Sequence, residues 1–398
     1  MKLMVIGGGG REHAIIKKLK ENPAVEKIYC LPGNGGIAAD AVCVSEIGAK
    51  DIPAQVEFAK AHGIDYAVVA PDDPLALGAV DALSAAGIPC FGPDKKAAVI
   101  EASKAFAKDL MQKYNIPTAK YRVFTDAPSA CAYIDAEGAP IVVKADGLAL
   151  GKGVVVAQTV EEAKAAVRAM IEDKTFGQSG ARVVIEEFME GPEVSVETLS
   201  VDGKCHVIQI TDKITTGAPH FVEMGHTQPS RLDKKTTDEI SRIAREANRA
   251  VGISNGPSHT EIIVTKDGPK IVELGARLGG DCITTHLVPL STGMNMVESC
   301  IKIAMGENPD LSVIIDRGAA IRYFPQHRGT VESIEGLEEA RKIDGVVSIN
   351  IVHDVGETIT DVTDSGSRMG FIIAQGSNAD AAVKTCEEAM DKIKITIR

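Results

Sequence analysis

Two glutamates, Glu261 and Glu273, flank the turn sequence Lys266-Asp267-Gly268. A hairpin turning about Asp267 sets 261 opposite 273 and 263 opposite 271, with Pro269 leaving one residue of latitude in that register. Side chains alternate with period two along a strand, so both carboxylates project from one face. Like charges directly opposite each other destabilise a ladder unless something neutralises them. Magnesium does so readily, taking one or two carboxylates and completing its shell with phosphate oxygens, and manganese suits the same donors. Arg277, in Gly275-Ala276-Arg277, follows on the same loop. It is placed to stabilise charge on a transferring phosphoryl group.

Asp146-Gly147-Leu148-Ala149-Leu150-Gly151-Lys152-Gly153 is a second chemical signal. It departs from a Walker A loop: the spacing is one residue short, no Ser or Thr follows the lysine, and a strand rather than a helix comes next. A glycine loop between two strands can instead fold over a triphosphate, its backbone amides facing the phosphates. Gly147, Gly151, Lys152 and Gly153 are the expected contacts. Lys144, ending the preceding strand, supplies a point charge to phosphate, and Lys104 offers a second cation. Glu186-Glu187-Phe188 ends another strand and suits adenine recognition, while Glu193 follows within reach of a ribose. Together these residues point to ATP.

The first glycine cluster, Gly7 to Gly10, does not fit a dinucleotide. Position six of the fingerprint is Glu12 or His13 in the two available frames, and the acidic residue expected after the second strand is missing. Amides at a helix N-terminus still favour an anion, so Gly9 and Gly10 are candidate substrate contacts. His226 lies on what reads as a glycine-flanked loop, and His259 stands beside the carboxylate hairpin. Both are candidate substrate contacts, and neither is assigned a base role.

These residues need elements to position them. Short apolar runs (Lys2–Ile6, Ile28–Leu31, Tyr66–Ala70, Pro89–Phe91) alternate with helical segments such as Ile52–His62, which implies βαβ units and a parallel sheet. Gly92-Pro93 closes this block, with a boundary near residue 94. Lys95–Asn115 reads as one helix. Ile141–Lys144, Val154–Ala157, the helix Val160–Ile171 and Arg182–Glu187 follow as an α+β unit. Glu193–Val201 and Cys205–Asp212 form a hairpin about Asp202-Gly203, and the helix Lys234–Val251 precedes the carboxylate hairpin. Ala319–Phe324, Val346–Val352 and Phe371–Ala374 are strands of a last block, which ends in a helix over Asn378–Ile393.

Composition limits the partners. The chain of 398 residues carries a net charge of −12, which excludes a basic nucleic-acid footprint. No apolar stretch approaches the length of a membrane span, and the first residues lack a secretory signal. The eight cysteines form no C-x-x-C pair, and they read as buried free thiols in a reducing cytoplasm.

In combination these motifs resemble the ATP-grasp ligase superfamily over essentially the whole chain. Residues 1–190 resemble the phosphoribosylamine–glycine ligases through Gly8-Gly9-Gly10-Arg11-Glu12-His13-Ala14, Pro32-Gly33-Asn34, Ser103-Lys104-Ala105-Phe106, Lys144 to Ala149, Gly151-Lys152-Gly153-Val154 and Val184 to Phe188. Residues 193–310 are more similar to the ATP-grasp L-amino-acid ligases, which join two amino acids into a dipeptide. Glu223-Met224-Gly225-His226-Thr227, Ser258-His259-Thr260-Glu261 and Gly275-Ala276-Arg277-Leu278-Gly279-Gly280 carry that similarity. In the glycinamide enzymes the metal site reads Glu-x-Asn-x-Arg; here Gly275 stands at the Asn position.

The resemblance implies an ATP-grasp fold, mixed α/β and α+β. Its parts would be a parallel-sheet pre-ATP-grasp domain (1–94), an ATP-grasp domain (95–310, lid subdomain about 118–190) and a C-terminal α+β domain (311–398). It also implies that Lys104 and Lys144 bind phosphates, that Glu261 and Glu273 hold magnesium, and that Arg277 contacts phosphate or a substrate carboxylate. Gly279 and Gly280 would face substrate. The reaction expected is ADP-forming amide synthesis through an acylphosphate, from small-molecule carboxylate and amine substrates. The chain favours an amino-acid substrate, with phosphoribosylamine–glycine ligase of purine biosynthesis as the alternative. A nucleotide-binding regulator without catalysis is the third reading, although the charged set is all present. The last block could contribute both a lid and a homodimer interface.

Overall fold

Leu3–Ile6 is apolar throughout and buried, as expected for a strand covered on both faces of a parallel sheet. In the computed structural model, which describes residues 1–147 and 153–398, it lies at the centre of the first block. Five strands, β1 (Lys2–Gly7), β2 (Lys27–Pro32), β3 (Val42–Cys43), β4 (Tyr66–Val69) and β5 (Cys90–Phe91), pair in parallel in the order β3-β2-β1-β4-β5. An antiparallel sheet follows, built from β6 (Tyr121–Phe124), β7 (Ile141–Ala145), β8 (Val154–Ala157) and β9 (Val183–Glu187) in the order β6-β9-β7-β8.

The next strands are β10 (Glu193–Val201), β11 (Lys204–Thr215), β12 (Glu223–Gln228), β13 (Gly256–Thr265) and β14 (Gly268–Gly275). The C-terminal residues add β15 (Gly318–Tyr323), β16 (Gly329–Glu335), β17 (Val346–Ile351), β18 (Thr358–Ile359), β19 (Gly370–Gly376) and β20 (Lys394–Ile397). Eight of these strands form one sheet, β14-β13-β10-β11-β12-β15-β19-β17, while β18-β16-β20 make a small separate one. The large sheet therefore runs without interruption across residue 310. An N-terminal parallel sheet followed by antiparallel sheets is the result.

Period-two alternation decides which face of this sheet does what. Val194, Val196, Ile262, Ile271 and Leu274 are buried against Ile240, Ile243, Ala244 and Ala247 of the helix Lys234–Val251. These four helix residues recur at helical spacing and form its apolar stripe. Asp233 caps the helix by accepting from Thr236 N at 3.0 Å. The alternate residues of β10 and β13, Glu193, Glu197, His259 and Glu261, are left for the opposite face.

Four sequence expectations change. Lys95–Asn115 is two helices, Lys95–Ala102 and Lys104–Lys113. Ser103 breaks them with an extended backbone and caps the second, accepting from Phe106 N at 3.1 Å while donating to Asp146 at 3.0 Å. His226 lies in strand β12 and not on a loop. Gly225 is there for close packing: a Cβ would sit 3.0 Å from the Arg322 side chain and from the Ile321 carbonyl oxygen. The hairpin β13–β14 pairs Glu261 with Glu273 as expected, but a bulge then sets Ile262, not Ile263, opposite Ile271. Lastly, the eight cysteines are all free, yet only Cys30, Cys300 and Cys386 are fully buried. Among the described residues no helix is long and apolar enough to cross a membrane.

Candidate active site

Several residues expected on the nucleotide side gather around a buried carboxylate. Glu186, on β9, has Lys144 Nζ of the neighbouring β7 at 3.0 Å from one oxygen and Lys108 Nζ at 2.9 Å from the other. All three side chains are nearly inaccessible. Burial pushes the Glu186 carboxyl up, but the two lysines outweigh it and hold it below the ordinary range. Lys108 also donates to Thr118 Oγ1 at 2.7 Å, and burial lowers its ammonium to about 8. Glu186 thus serves as a counter-ion between lysines in this state. Lys108 was not singled out from sequence, although its position one helical turn after Lys104 was the available signal.

Lys104 opens its helix and donates to the Gly147 carbonyl at 3.3 Å. Asp146 anchors the start of the same loop, accepting from Ala105 N at 2.7 Å and Arg182 Nε at 2.9 Å. Gly147 has to be glycine, because a Cβ there would lie 2.5 Å from Ser179 Oγ and 2.8 Å from its Cα. Gly151 and Lys152 fall outside the described residues. Gly153 accepts at its carbonyl from Ala145 N at 2.8 Å. Glu187 accepts from Lys120 N at 3.0 Å and Lys270 Nζ at 2.7 Å, and the Phe188 ring stands 6.5 Å from that of Phe221.

Across the sheet, five adjacent strands each supply one charge: Glu273 on β14, Glu261 on β13, Glu193 on β10, Lys213 on β11 and Glu223 on β12. Lys213 Nζ is 2.5 Å from Glu193, 2.8 Å from Glu261 and 3.6 Å from Glu223. Its side chain is only 4% exposed. The expected strand ended at Asp212, one residue short of it, so Lys213 was missed.

Glu273 forms neither an ion pair nor a hydrogen bond among the described side chains. No three His, Cys, Asp or Glu side chains among the described residues could hold a metal unaided. Two facing carboxylates, one of them without a direct ion-pair partner although in the field of Lys104, Lys144 and Arg277, nevertheless fit a magnesium ion that draws its other ligands from water and a polyphosphate.

Toward the parallel-sheet block the charges are tied pairwise. Arg277 binds Asp72 at 3.0 Å and Glu101 at 2.6 Å. Burial works against its charge, but Glu101 and Asp72 keep the guanidinium firmly protonated. Burial raises the Glu101 carboxyl to about 7 despite Arg277. His259 Nδ1 meets Glu197 at 2.7 Å, and its Nε2 lies 3.5 Å from Glu261. A Cβ on Gly279 would come within 2.8 Å of both Glu197 and His259. Position 280 is roomier, with Arg11 3.9 Å from a Cβ built there. Gly9 N donates to Glu12 at 2.6 Å, so this helix start already faces a carboxylate, and space is open around Gly10.

His226 is buried and its Nε2 stands 3.3 Å from Asp281. Asp281 receives Arg368 in a fork at 2.9 and 2.8 Å, and the guanidinium stacks on Tyr323 at 3.7 Å. Burial pushes Asp281 up, but Arg368 and His226 hold it well below the carboxylate range.

A cleft of about 1220 Å³ joins much of this set. Lys144, Glu186, Glu187, Phe188, Glu193, Glu261 and Glu273 line it. Lys213, Glu223 and the C-terminal loop Thr363–Gly366 complete the wall; neither Lys213 nor Glu223 was anticipated as site-forming, and of the last block only a general lid contribution was. Lys104, Arg277, His226, His259, Gly9, Gly10, Gly279 and Gly280 do not line it; they stand outside its wall.

Among known proteins, similarity to the glycinamide enzymes extends beyond residue 190, to residue 282. Residues 1–101 match the family model for the phosphoribosylglycinamide synthetase N domain, and residues 102–282 match that family's ATP-grasp (A) domain. Residues 322–398 match L-amino acid ligase C-terminal domain 2. A phosphoribosylamine–glycine ligase of Streptococcus pneumoniae serotype 4 is 36% identical over 408 residues, covering 99% of this chain and 96% of the relative. Among solved structures, the L-amino acid ligase from Bacillus licheniformis superposes with a TM-score of 0.81 at 24% identity, covering 100% of this chain and 98% of its own. Phosphoribosylglycinamide synthetase from Anaerococcus prevotii gives 0.76 at 20% identity, covering 100% and 99%. The chain belongs to the phosphoribosylglycinamide synthetase family of ATP-grasp carboxylate–amine ligases, the ADP-forming C–N ligases.

Proposed function

We propose that this ligase activates the carboxylate of an amino acid and joins it to the amine of a second amino acid or similar small ammonium compound. The observation that carries this reading is the charge of the cleft. Its described lining holds eight carboxylates and two lysines, and both lysines are already paired. Glu223 and Asp364 lie on the wall contributed by β12 and the C-terminal loop. A phosphorylated amine would bring two further negative charges against that wall, whereas an ammonium group is attracted to it. The C-terminal match to the L-amino acid ligase domain covers this same loop.

The residues would divide the work as follows. Lys104, Lys144 and the glycine loop from Gly147 through Gly151 and Lys152 to Gly153 hold the ATP phosphates. Glu186, Glu187, Phe188 and Glu193 border the adenosine. Glu261 and Glu273 hold magnesium, which when bound neutralises charge on the phosphoryl oxygens. A substrate carboxylate oxygen attacks the γ-phosphorus and ADP leaves. The amine then attacks the acyl carbon, phosphate departs, and an amide remains. Positioning and charge compensation do most of this work, and exclusion of water protects the acylphosphate. Arg277, held between Asp72 and Glu101, is assigned to the substrate end, with His226, His259, Gly279 and Gly280 shaping its floor. Residues 1–94, 95–310 and 311–398 act as three functional parts even though the large sheet spans the second junction.

The second reading is phosphoribosylamine plus glycine, favoured by the 36% identity over 99% of the chain. Both readings activate an amino-acid carboxylate, and they differ in the amine. Purified protein with magnesium and ATP, supplied with pairs of amino acids or with phosphoribosylamine and glycine, separates them by ADP release. Turnover with the phosphoribosylamine pair alone would overturn the proposal. Glu273→Gln should abolish ADP release in either case.

A further inference from the structure

Glu193, Glu261 and Glu223 surround a single ammonium group, that of Lys213, on three strands flanking or near β11. An ammonium has three donors, and here it faces three carboxylates while almost entirely shielded from water. One of the three, Glu261, also faces Glu273 in the hairpin register. Glu261 therefore belongs to two charge groupings at once, one held by a direct ion pair to Lys213 and one, with Glu273, that has no cation in direct contact with Glu273 among the described residues.

We propose that Lys213 is the resident counter-cation of this site: it holds Glu261 until a divalent ion enters together with a nucleotide. The inference rests on the assignment of Glu261 and Glu273 to the metal. A free divalent ion has to compete with an ammonium tethered two strands away in the same sheet, a competitor at high effective concentration. A polyphosphate changes that balance, because its oxygens offer Lys213 a new anion once Glu261 is given up. Metal and nucleotide then strengthen each other's binding, and by linkage the effect is reciprocal. Residue type matters less than charge at position 213, since any fixed cation would hold Glu261 and a neutral side chain would not.

Manganese binding, followed by electron paramagnetic resonance of the free ion, tests this without turnover. Wild-type protein should bind manganese at least tenfold more tightly with a non-hydrolysable ATP analogue than without it. Lys213→Met should bind manganese alone at least tenfold more tightly than wild type, and Lys213→Arg should resemble wild type. Equal nucleotide-free affinity in folded Lys213→Met and wild type would overturn the proposal. If Lys213→Met does not fold, wild-type binding that is as tight without the analogue as with it overturns it equally. The metal assignment itself is tested apart, by Glu273→Gln: if manganese binding in the presence of the analogue is unchanged in that variant, the assignment fails whatever Lys213 does.

Discussion

A Cβ atom on Gly275 would lie 2.8 Å from Glu101 Oε1 and 2.9 Å from Oε2, so the Glu101 carboxylate fills the volume that a side chain at 275 would need. The same carboxylate holds Arg277 at 2.6 Å. Absence of a side chain on β14 and the position of Arg277 are thus one arrangement. Gly275→Asn should displace Glu101, cost about 1–3 kcal/mol by overpacking, and slow ADP release. Glu101→Ala in the same chain should recover part of the lost stability, and a double-mutant cycle in urea measures the coupling. Equal stability of Gly275→Asn and wild type would refute the contact.

His259 gives a pH signature. Burial opposes its charge, but Glu197 and Glu261 raise the imidazole to about 9, above an unfolded value near 6.5. A raised folded value means the stabilisation is complete below about pH 6.5 and is lost as the pH rises through about 9. The size is on the order of 3 kcal/mol. Unfolding free energy of the metal-free protein should fall from pH 7 to pH 9.5, and His259→Gln should flatten that fall. Parallel curves for the two proteins would contradict it.

Glu186 is the sole carboxylate within ion-pair reach of both Lys108 and Lys144 among the described residues. Glu186→Gln leaves two buried ammonium groups without compensation, which should cost about 3–5 kcal/mol. Because the folded carboxyl is held below its ordinary value, its contribution is present at neutral pH and is lost as the pH falls through the acid range. Urea melts from pH 7 downward should show the gap between wild type and variant closing only below the ordinary glutamate value of about 4.3, toward the lowered folded value.

Arg368 joins the C-terminal loop to Asp281 by a fork and stacks on Tyr323. Lysine keeps the charge but loses both the fork and the planar stack. Arg368→Lys should raise KM for the amine or carboxylate several-fold while leaving KM for ATP nearly unchanged. Steady-state kinetics with each substrate varied in turn would show an equal rise in all three if the loop had no part in the substrate site.

Local signals carried far into this molecule. The pairing of Glu261 with Glu273 follows from a turn sequence and period-two alternation, and the helix Lys234–Val251 follows from a cap and an apolar stripe. Both depend on neighbours within a few residues, so sequence alone determined them. Tertiary structure decided the rest. Lys213 reaches Glu261 across 48 residues of sequence and Arg277 reaches Asp72 across 205. Ser103 interrupts a helical stretch because Asp146, 43 residues away, takes its hydroxyl. Strand β12 accepts β15, so the C-terminal residues extend the central sheet and bring Thr363–Gly366 to the cleft. Such contacts arise when separate strands are paired, and nothing in the spacing of residues along one strand specifies which distant charge will lie beside it.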